Sequence, residues 1–227
     1  MAAPNDHAVE TACFAAGCFW GVETTLACVP GVITTAVGYT GGHVENPTYK
    51  QVCYKDTGHA EAVLLTFDPS KVSFKQLLEV FFENHNPTTL NRQGPDYGSQ
   101  YRSAVFYYSE EQKEATLAAK KKYEALLNKP VVTQIVPAVT FYNAEDYHQK
   151  YALRLRDHKP LLTSLKMSDK EILTSPIAAK LNGYVTGQAP PEVLQEVEAL
   201  PLRDETRRLL PQIHFAGPAC HYKAFNH

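Results

Sequence analysis

The sequence has no apolar run that approaches the ~18 residues of a membrane-spanning helix. Residues 1–10 lack a basic segment followed by an apolar one, so no secretory signal is expected. Lysine plus arginine (22) nearly balance aspartate plus glutamate (24), which leaves a formal charge of -2 and no basic surface for nucleic acid or an anionic membrane. These absences favour a soluble, cytoplasmic protein with a small or neutral partner, and neither nucleic acid nor a membrane as partner.

Cysteine is scarce, and no two cysteines form a Cys-x-x-Cys pair. The five cysteines stand at positions 13, 18, 28, 53 and 220. Spacings of 5, 10 and 25 residues between the first four lack the close ligand pairs of a structural zinc site. A chain of 227 residues, 44% of them hydrophobic, has enough apolar surface to build a core without disulfides. We therefore expect reduced thiols and no metal.

Proline and glycine are unevenly distributed, and this divides the chain. Residues 158–227 hold seven of the 15 prolines but only three of the 12 glycines, and short helical patterns lie between the prolines. Before residue 158, strand-like alternation is interleaved with helical patterns of about 10 to 18 residues. We predict a main domain over residues 1–157, and a helical C-terminal extension over residues 158–227 that packs on it or is tethered to it.

The apolar periodicity of the main domain predicts its strands and helices. Strand patterns cover residues 11–16, 31–39, 59–67, 101–108 and 131–142. Helical patterns cover residues 18–27, 73–83, 110–127 and 144–157, and capping boxes begin the second and the third of these. This alternation favours a sheet covered by helices, in an α/β or α+β arrangement.

Cys18 stands at a predicted strand-to-helix junction, directly after Gly17. Unbonded N–H groups and the helix dipole stabilise a thiolate at this position, and no Ser, Thr, Asp or Asn competes for those groups as a cap. A thiol with a pKa of about 8.5 is about 3% ionised at pH 7, whereas a pKa of about 6.5 gives about 75%. The position predicts a reactive cysteine; the alternative is a small buried apolar side chain.

Phe19 and Trp20 follow Cys18 in the first turn of the predicted helix. One interpretation makes them an apolar wall beside the thiol. In the other, Trp20, the single tryptophan, anchors the core.

Glu61 is the second informative position. Alternation in the strand 59–67 puts its carboxylate on the same face as Val63, Leu65 and Phe67. Enclosed among apolar groups, Glu61 would have a raised pKa and act as a general acid; at a solvated strand end it would stay an ordinary carboxylate.

The polar segment 91–102 has the glycines and the proline of a site loop. Asp96 and Tyr101 in this loop hold a substrate, a water or a leaving oxygen in one interpretation, and belong to a solvated turn in the other. Tyr49, in the turn 46–49, is either a packing residue or a phenol of the site.

Five motifs occur in a specific order and spacing: residues 17–23 (GCFWGVE), 38–42 (GYTGG), 46–49 (NPTY), 57–61 (TGHAE) and 100–103 (QYRS). Together they closely resemble the A-type peptide-methionine sulfoxide reductases, over residues 11 to 155. The resemblance implies an α+β two-layer sandwich with a central mixed β-sheet flanked by helices, to which the helical extension is added. It also makes residues 1–157 the catalytic domain.

The reaction that the resemblance implies is the thiol-dependent reduction of methionine S-sulfoxide, free or in oxidised proteins, to methionine. Cys18 is similar to the family's nucleophile, which becomes a sulfenic acid. Glu61 is similar to the acid that protonates the sulfoxide oxygen. This reaction repairs oxidised proteins.

The remaining motif residues resemble those that bind the substrate. Phe19 and Trp20 are similar to the apolar wall that receives the S-methyl group. Tyr49, Asp96 and Tyr101 resemble the residues that hold the sulfoxide oxygen and its waters. Asp96 follows a proline, where the family more often has asparagine.

Regeneration of the thiol is where the sequence departs from the family. The resemblance implies that a second thiol condenses with the sulfenic acid and that thioredoxin or another thiol reductant reduces the disulfide, without a cofactor. We expect a monomer. Many members carry resolving cysteines in a glycine-rich tail, whereas this extension is helical and proline-rich. Cys220, its single cysteine, is the candidate resolving residue, and Cys13, Cys28 and Cys53 are expected to be structural.

The residues alone leave two other functions open. A Cys-His hydrolase or acyltransferase would use His59, His85 or His148 as the base for Cys18. A non-enzymatic thiol- or metal-binding module is the other, although the cysteine spacing argues against zinc. Nine histidines make a coincidental Cys-His pair easy to find.

Overall fold

The structure, a computed structural model, describes residues 8–215. Strands β1–β8 comprise Glu10–Ala16, Val32–Thr40, Ala60–Phe67, Arg92–Gln93, Asp96–Tyr97, Ser103–Tyr107, Gln134–Pro137 and Tyr142–Asn143. Helices α1–α10 comprise Phe19–Ala27, Tyr49–Tyr54, Phe74–Glu83, Glu110–Leu127, Tyr151–Arg154, Lys159–Ser164, Asp169–Thr174, Pro176–Tyr184, Pro191–Ala199 and Asp204–Leu209. Short 3-10 helices lie at Ser99–Tyr101, Asp146–His148 and Leu210–Gln212. Over these described residues, no helix combines the length and the apolar character needed to span a bilayer.

A six-stranded sheet forms the centre, in the order β7-β6-β1-β3-β2-β8. Neighbouring strands are antiparallel except β6 and β7, which are parallel. Helices α1, α3 and α4 pack on one face of the sheet. On the other face lies a cluster of mostly small side chains: Cys13, Ala15, Ala60, Ala62, Ala104 and Phe106. The predicted α+β fold with a mixed sheet and a helical C-terminal region is confirmed.

The helix predicted over residues 144–157 is wrong. The chain forms a 3-10 turn at Asp146–His148 and then α5, and Lys150 between them has a left-handed φ of 55°. A left-handed residue cannot continue a helix. The strand predicted over residues 131–142 is also not continuous. Within this part of the chain, only the residues of β7 and β8 pair with neighbouring strands. The turn predicted at residues 46–49 leads into α2.

A buried ion pair joins α1 to Lys150. Lys150 Nζ lies 2.9 Å from Glu23 Oε1, and both side chains are completely buried. Lys150 Nζ also donates to the carbonyl oxygen of Thr35 at 2.6 Å. Glu23 accepts hydrogen bonds from the Thr35 hydroxyl, the Lys150 amide and the Asn182 side chain. These bonds replace lost hydration, so the pair is compatible with complete burial and links α1, β2 and α8.

Replacing Lys150 with methionine is expected to lower the free energy of unfolding by about 3–5 kcal/mol, because Glu23 is then buried without its counter-ion. Urea denaturation measures this loss. The double replacement Lys150→Met with Glu23→Leu should recover part of it, since no isolated charge remains. A loss below about 1 kcal/mol in the single variant would show that Glu23 finds compensation elsewhere.

Helices α6–α10 and α5 share a second apolar cluster. Ala152 of α5 belongs to the same cluster as Leu161 of α6, so the packing continues across residue 157. Helix α8 also packs on α1 and β2, and Lys180 Nζ donates to the carbonyl oxygen of Val29 at 2.9 Å. The boundary after residue 157 stays a prediction.

Candidate active site

Cys18 is the N-cap residue of α1, where β1 ends. Gly17 before it has a φ of +97°, and a Cβ there would lie 2.7 Å from the side chain of Gln93. The turn therefore requires glycine, and the hairpin of β4 and β5 lies over it. Cys18 is half-buried, and its side chain does not cap the helix. The thiol thus lies at the positive end of a nine-residue helix, which favours the thiolate.

Glu61 lies beside this first turn. Its Oε2 accepts a hydrogen bond from the backbone N–H of Phe19 at 3.1 Å, and the residue is only 2% exposed. It shares a face of β3 with Val63 and Leu65, which belong to the main core. The predicted orientation is confirmed, and a solvated strand end is excluded. One N–H group of the first turn therefore serves Glu61 rather than the sulfur.

Three tyrosine hydroxyls lie within electrostatic reach of Glu61. Tyr39 is its cross-strand partner between β2 and β3, Tyr49 begins α2, and Tyr101 ends the 3-10 helix before β6. Burial raises the pKa of each phenol, and the negative charge of Glu61 contributes to each rise. The three hydroxyls therefore stay protonated at neutral pH and can donate hydrogen bonds.

Cys53 lies among the same side chains, and the expectation that it is structural stays a prediction. Its thiol shares hydrogen bonds with the hydroxyls of Tyr49 and Tyr101. Burial, and then the charges of Glu61 and Glu145, raise its pKa. Tyr49 and Cys53 are four residues apart in α2 and share a helix face. Because the sequence predicted a turn at Tyr49 and no helix after it, this spacing went unnoticed.

Trp20 forms the accessible part of the predicted apolar wall. It is half-buried, and its ring stacks on Tyr151 at 3.7 Å with 4° between the planes. Its indole N–H donates to His148 Nδ1 at 3.0 Å. Phe19 is 1% exposed and packs in the core against Tyr39. Sequence reasoning gave no role to Tyr151 and missed the contact of His148 with the indole, because more than 120 residues separate them from Trp20.

Glu145, in the segment that follows β8, accepts hydrogen bonds from two of the tyrosines around Glu61. Glu145 Oε1 accepts a hydrogen bond from the backbone N–H of Tyr49 at 2.8 Å. Its Oε2 accepts one from the hydroxyl of Tyr39 at 2.9 Å. Glu145 thereby links the first turn of α2 to strand β2. No sequence signal singled out Glu145 for this position.

Asp96 lies in the hairpin of β4 and β5. The pKa of Tyr101 is raised most by burial, and then by electrostatic interaction with Glu61, Cys53, Tyr49 and Asp96. Because Asp96 contributes to this rise, its carboxylate lies close to the Tyr101 hydroxyl. The predicted site loop is a short hairpin followed by a 3-10 helix. It brings Asp96 and Tyr101 together near Cys53.

Of the three histidines considered as a base, His59 and His85 are bonded at both ring nitrogens, and His148 bonds the indole of Trp20. His59 Nδ1 accepts from the amide of Gly42 at 3.2 Å, and Nε2 lies 2.7 Å from the carbonyl oxygen of Val44. Burial lowers the pKa of His85 to about 4, and its ring bonds Phe81 and Ser103. Burial also lowers the pKa of His148, whose Nδ1 accepts from the indole. This arrangement disfavours the hydrolase alternative.

The other cysteines lie apart from this group. Cys13 and Cys28 are buried, and burial raises the pKa of both thiols, that of Cys28 to about 11. Cys220, the candidate resolving residue, lies outside the described residues. Within residues 8–215, no three His, Cys, Asp or Glu side chains come together as a metal site.

Comparison with known proteins agrees with this geometry. The family described as "Peptide methionine sulfoxide reductase" matches residues 10–180. Peptide methionine sulfoxide reductase MsrA of Methanosarcina acetivorans is 61% identical over 145 residues, which are 63% of this chain and 77% of the relative. The protein MsrA 1 of Synechocystis is 52% identical over 155 residues, which are 66% of this chain and 70% of the relative.

Solved structures of the same kind share the fold. Mxr1 of Saccharomyces cerevisiae in its reduced form is 34% identical with a TM-score of 0.61, over 63% of this chain and 83% of that one. Methionine sulfoxide reductase A of Corynebacterium diphtheriae is 35% identical with a TM-score of 0.59, over 65% of this chain and 75% of that one. With the family match covering most of its length, the chain belongs to the peptide methionine sulfoxide reductase family.

Proposed function

We propose that this chain reduces methionine S-sulfoxide, free or within oxidised proteins, to methionine at the Cys18 thiol. One observation carries the proposal: the buried Glu61 carboxyl group bonds the amide of Phe19, the residue after Cys18, at 3.1 Å. A nucleophile next to a proton donor is what removal of oxygen from a sulfoxide requires. Family membership supports the same reaction.

In the proposed first step, the Cys18 thiolate attacks the sulfoxide sulfur while protonated Glu61 gives its proton to the oxygen. The attack forms a bond between Cys18 Sγ and the substrate sulfur. The protonated oxygen is then transferred as a hydroxyl group from the substrate sulfur to Sγ, so that the S–O bond and the new Sγ–S bond both break and an Sγ–O bond forms. Methionine leaves with its sulfur reduced by two electrons, and Cys18 is oxidised by two electrons to a sulfenic acid. Burial of Glu61 supports its role as the acid, because burial disfavours the charged carboxylate.

Substrate binding is assigned to the groups around this pair. The half-buried Trp20, with Phe19 behind it, receives the S-methyl group on an apolar surface. The hydroxyls of Tyr49 and Tyr101 hold the sulfoxide oxygen, a role that their protonated state supports. Asp96 orders the waters near Tyr101.

Regeneration of the Cys18 thiol requires a second cysteine of the protein and a reductant that supplies two thiols. A second cysteine attacks the sulfenic sulfur of Cys18, an S–S bond forms, and the oxygen leaves as water. A dithiol reductant, which we propose to be thioredoxin, then reduces the disulfide. We assign the resolving role to Cys220, because a turn-forming Gly-Pro sequence precedes it and it is the single cysteine of the extension.

Replacing Cys220 with serine is expected to leave turnover with dithiothreitol within about twofold of wild type, because a small dithiol reaches Cys18 directly. Turnover with thioredoxin should fall by at least about tenfold, because the disulfide that thioredoxin reduces no longer forms. Steady-state assays with each reductant make the comparison. Cys53→Ser is the matched variant, since Cys53 lies within the site; a loss selective for thioredoxin in that variant would reassign the resolving role.

We further propose a cytoplasmic monomer whose catalytic domain comprises residues 1–157. Every residue given a role in the first chemical step lies in that range. Within residues 8–215, Cys13, Cys28 and Cys53 form no disulfide, which is compatible with a reducing compartment.

The test of the reaction is an assay of both methionine sulfoxide epimers with dithiothreitol, combined with a thiol count after one turnover without reductant. We expect methionine from the S epimer alone. One turnover should lower the count from five thiols by two, because the sulfenic acid and the resolving thiol form one disulfide. Reduction of the R epimer, or of neither, would contradict the assignment.

A further inference from the structure

Glu145 connects two of the tyrosines that lie within electrostatic reach of Glu61. Tyr39 is the cross-strand neighbour of Glu61 in the sheet, and its hydroxyl donates to Glu145 Oε2 at 2.9 Å. Tyr49 also lies within electrostatic reach of Glu61, and its amide donates to Glu145 Oε1 at 2.8 Å. Both oxygens of Glu145 are therefore committed to groups next to the proposed acid.

The charge of Glu145 is stable at neutral pH. Burial favours its neutral form, but hydrogen bonds from the amide of Tyr49, from its own backbone amide and from the hydroxyl of Tyr39 lower its pKa overall. His148 does not cancel this charge, because burial lowers the pKa of the imidazole and keeps it neutral near pH 7.

The two carboxylates act on the same groups. Both lie within electrostatic reach of Tyr39 and of Cys53. Other titratable groups come from every neighbouring element: Cys18 on α1, Tyr49 on α2, Asp96 and Tyr101 in residues 96–101, and Tyr147 and His148 in the 3-10 helix. Two carboxylates in one poorly solvated site do not both ionise easily, so a permanent charge on one favours a proton on the other.

We propose that Glu145 is a positioning residue for the proposed reductase reaction: its fixed negative charge keeps the proton on Glu61, and its two hydrogen bonds hold Tyr39 and Tyr49 around that proton. The inference rests on the proposed role of Glu61 as the acid. It gives the segment after β8 a part in catalysis, although no atom of Glu145 needs to touch the substrate.

The test is the pH profile of the single-turnover rate of methionine formation, which contains no step of the external reductant. The alkaline limb of this profile is the pH range in which the rate falls as pH rises. In Glu145→Gln we expect the midpoint of the alkaline limb to move to lower pH by about one unit. The rate at pH values above the midpoint should then fall about tenfold more than the rate at pH values below it. The direction follows because removal of the negative charge makes ionisation of Glu61 easier. A uniform loss at all pH values would show a structural role only and overturn the proposal.

Two variants separate charge from shape. Glu145→Asp keeps the negative charge, so the midpoint of the alkaline limb should stay within about 0.3 pH units of wild type. The shorter side chain should displace Tyr49 and thereby lower the rate at every pH. Asp146→Asn removes the neighbouring exposed carboxylate and should change neither the limb nor the rate. A shift in Glu145→Asp as large as in Glu145→Gln would contradict the charge argument.

A measurement on the unaltered protein keeps the proposal testable if Glu145→Gln does not fold. Infrared difference spectra at neutral pH should show the C=O band of a protonated carboxyl group that Glu61→Gln lacks; its absence would overturn the proposal. The outcomes separate the two hypotheses. A wild-type protein without sulfoxide reduction refutes the proposed function, whereas an active wild type with an unmoved limb in Glu145→Gln refutes only the role of Glu145.

Discussion

Replacing Cys18 with serine is expected to abolish sulfoxide reduction, with a loss of at least about four orders of magnitude in single-turnover rate even with excess dithiothreitol. A serine hydroxyl is not ionised at the helix N-terminus at neutral pH and is a poor nucleophile towards sulfur. The substitution is nearly isosteric, so the turn between β1 and α1 should remain. Methionine formation measured by chromatography gives the rate.

The matched control is Cys28→Ser at the opposite end of the same helix. Cys28 is the C-cap residue of α1, about 15 Å along the helix from Cys18. It makes the same chemical change without touching the site, and activity within about threefold of wild type is expected. If Cys18→Ser keeps measurable turnover while Cys28→Ser behaves as expected, another group carries the nucleophile and the proposed chemistry is refuted.

Replacing Glu61 with glutamine is expected to lower the single-turnover rate by about 10²–10³-fold at and below neutral pH, because the amide cannot give a proton to the sulfoxide oxygen. The wild-type rate should fall as pH rises and Glu61 loses its proton. The glutamine variant has no such proton to lose. The ratio of the two rates is therefore largest in acid and narrows towards alkaline pH.

The fold should survive this change, because the glutamine carbonyl oxygen can still accept the Phe19 amide that now bonds Glu61 Oε2. Rates between pH 5 and 9 by rapid quench, a range chosen around the ordinary carboxyl and thiol pKa values, provide the comparison. A constant ratio across this range would mean that Glu61 organises the turn without supplying the proton.

Local sequence patterns were sufficient to predict the positions of Glu61 and Cys18. Alternation in β3 correctly placed Glu61 on the core face with Val63 and Leu65, because the side-chain period of a strand is two whatever it packs against. The predicted strand-to-helix junction at Cys18 is confirmed, since Cys18 is the N-cap residue of α1 and follows β1, and φ at Gly17 is positive.

Local patterns failed where distant contacts outweigh them. Residues 144–157 read as one helix, yet Lys150 is left-handed and its amide and Nζ both bond Glu23, 127 residues away. The short helix of Tyr49 and Cys53 was read as a turn, although Thr48 and Gln51 form a capping box there. The backbone N–H of Tyr49, the first residue of this helix, also donates to Glu145, which is too far away in the sequence for a local pattern to include it.

The amino-acid sequence by itself determined the strand-to-helix position of Cys18, the face of β3 that carries Glu61, the alternation of strands and helices and the family. These depend on motifs and periodicities within a few residues of one another. Only the tertiary structure decided that Cys53 joins the tyrosines, that His148 and Tyr151 contact Trp20, and that Glu145 bonds Tyr39 and Tyr49. Such contacts join residues about 100 or more positions apart or require a helix that sequence did not predict, and they form because burial leaves each polar group with few possible partners.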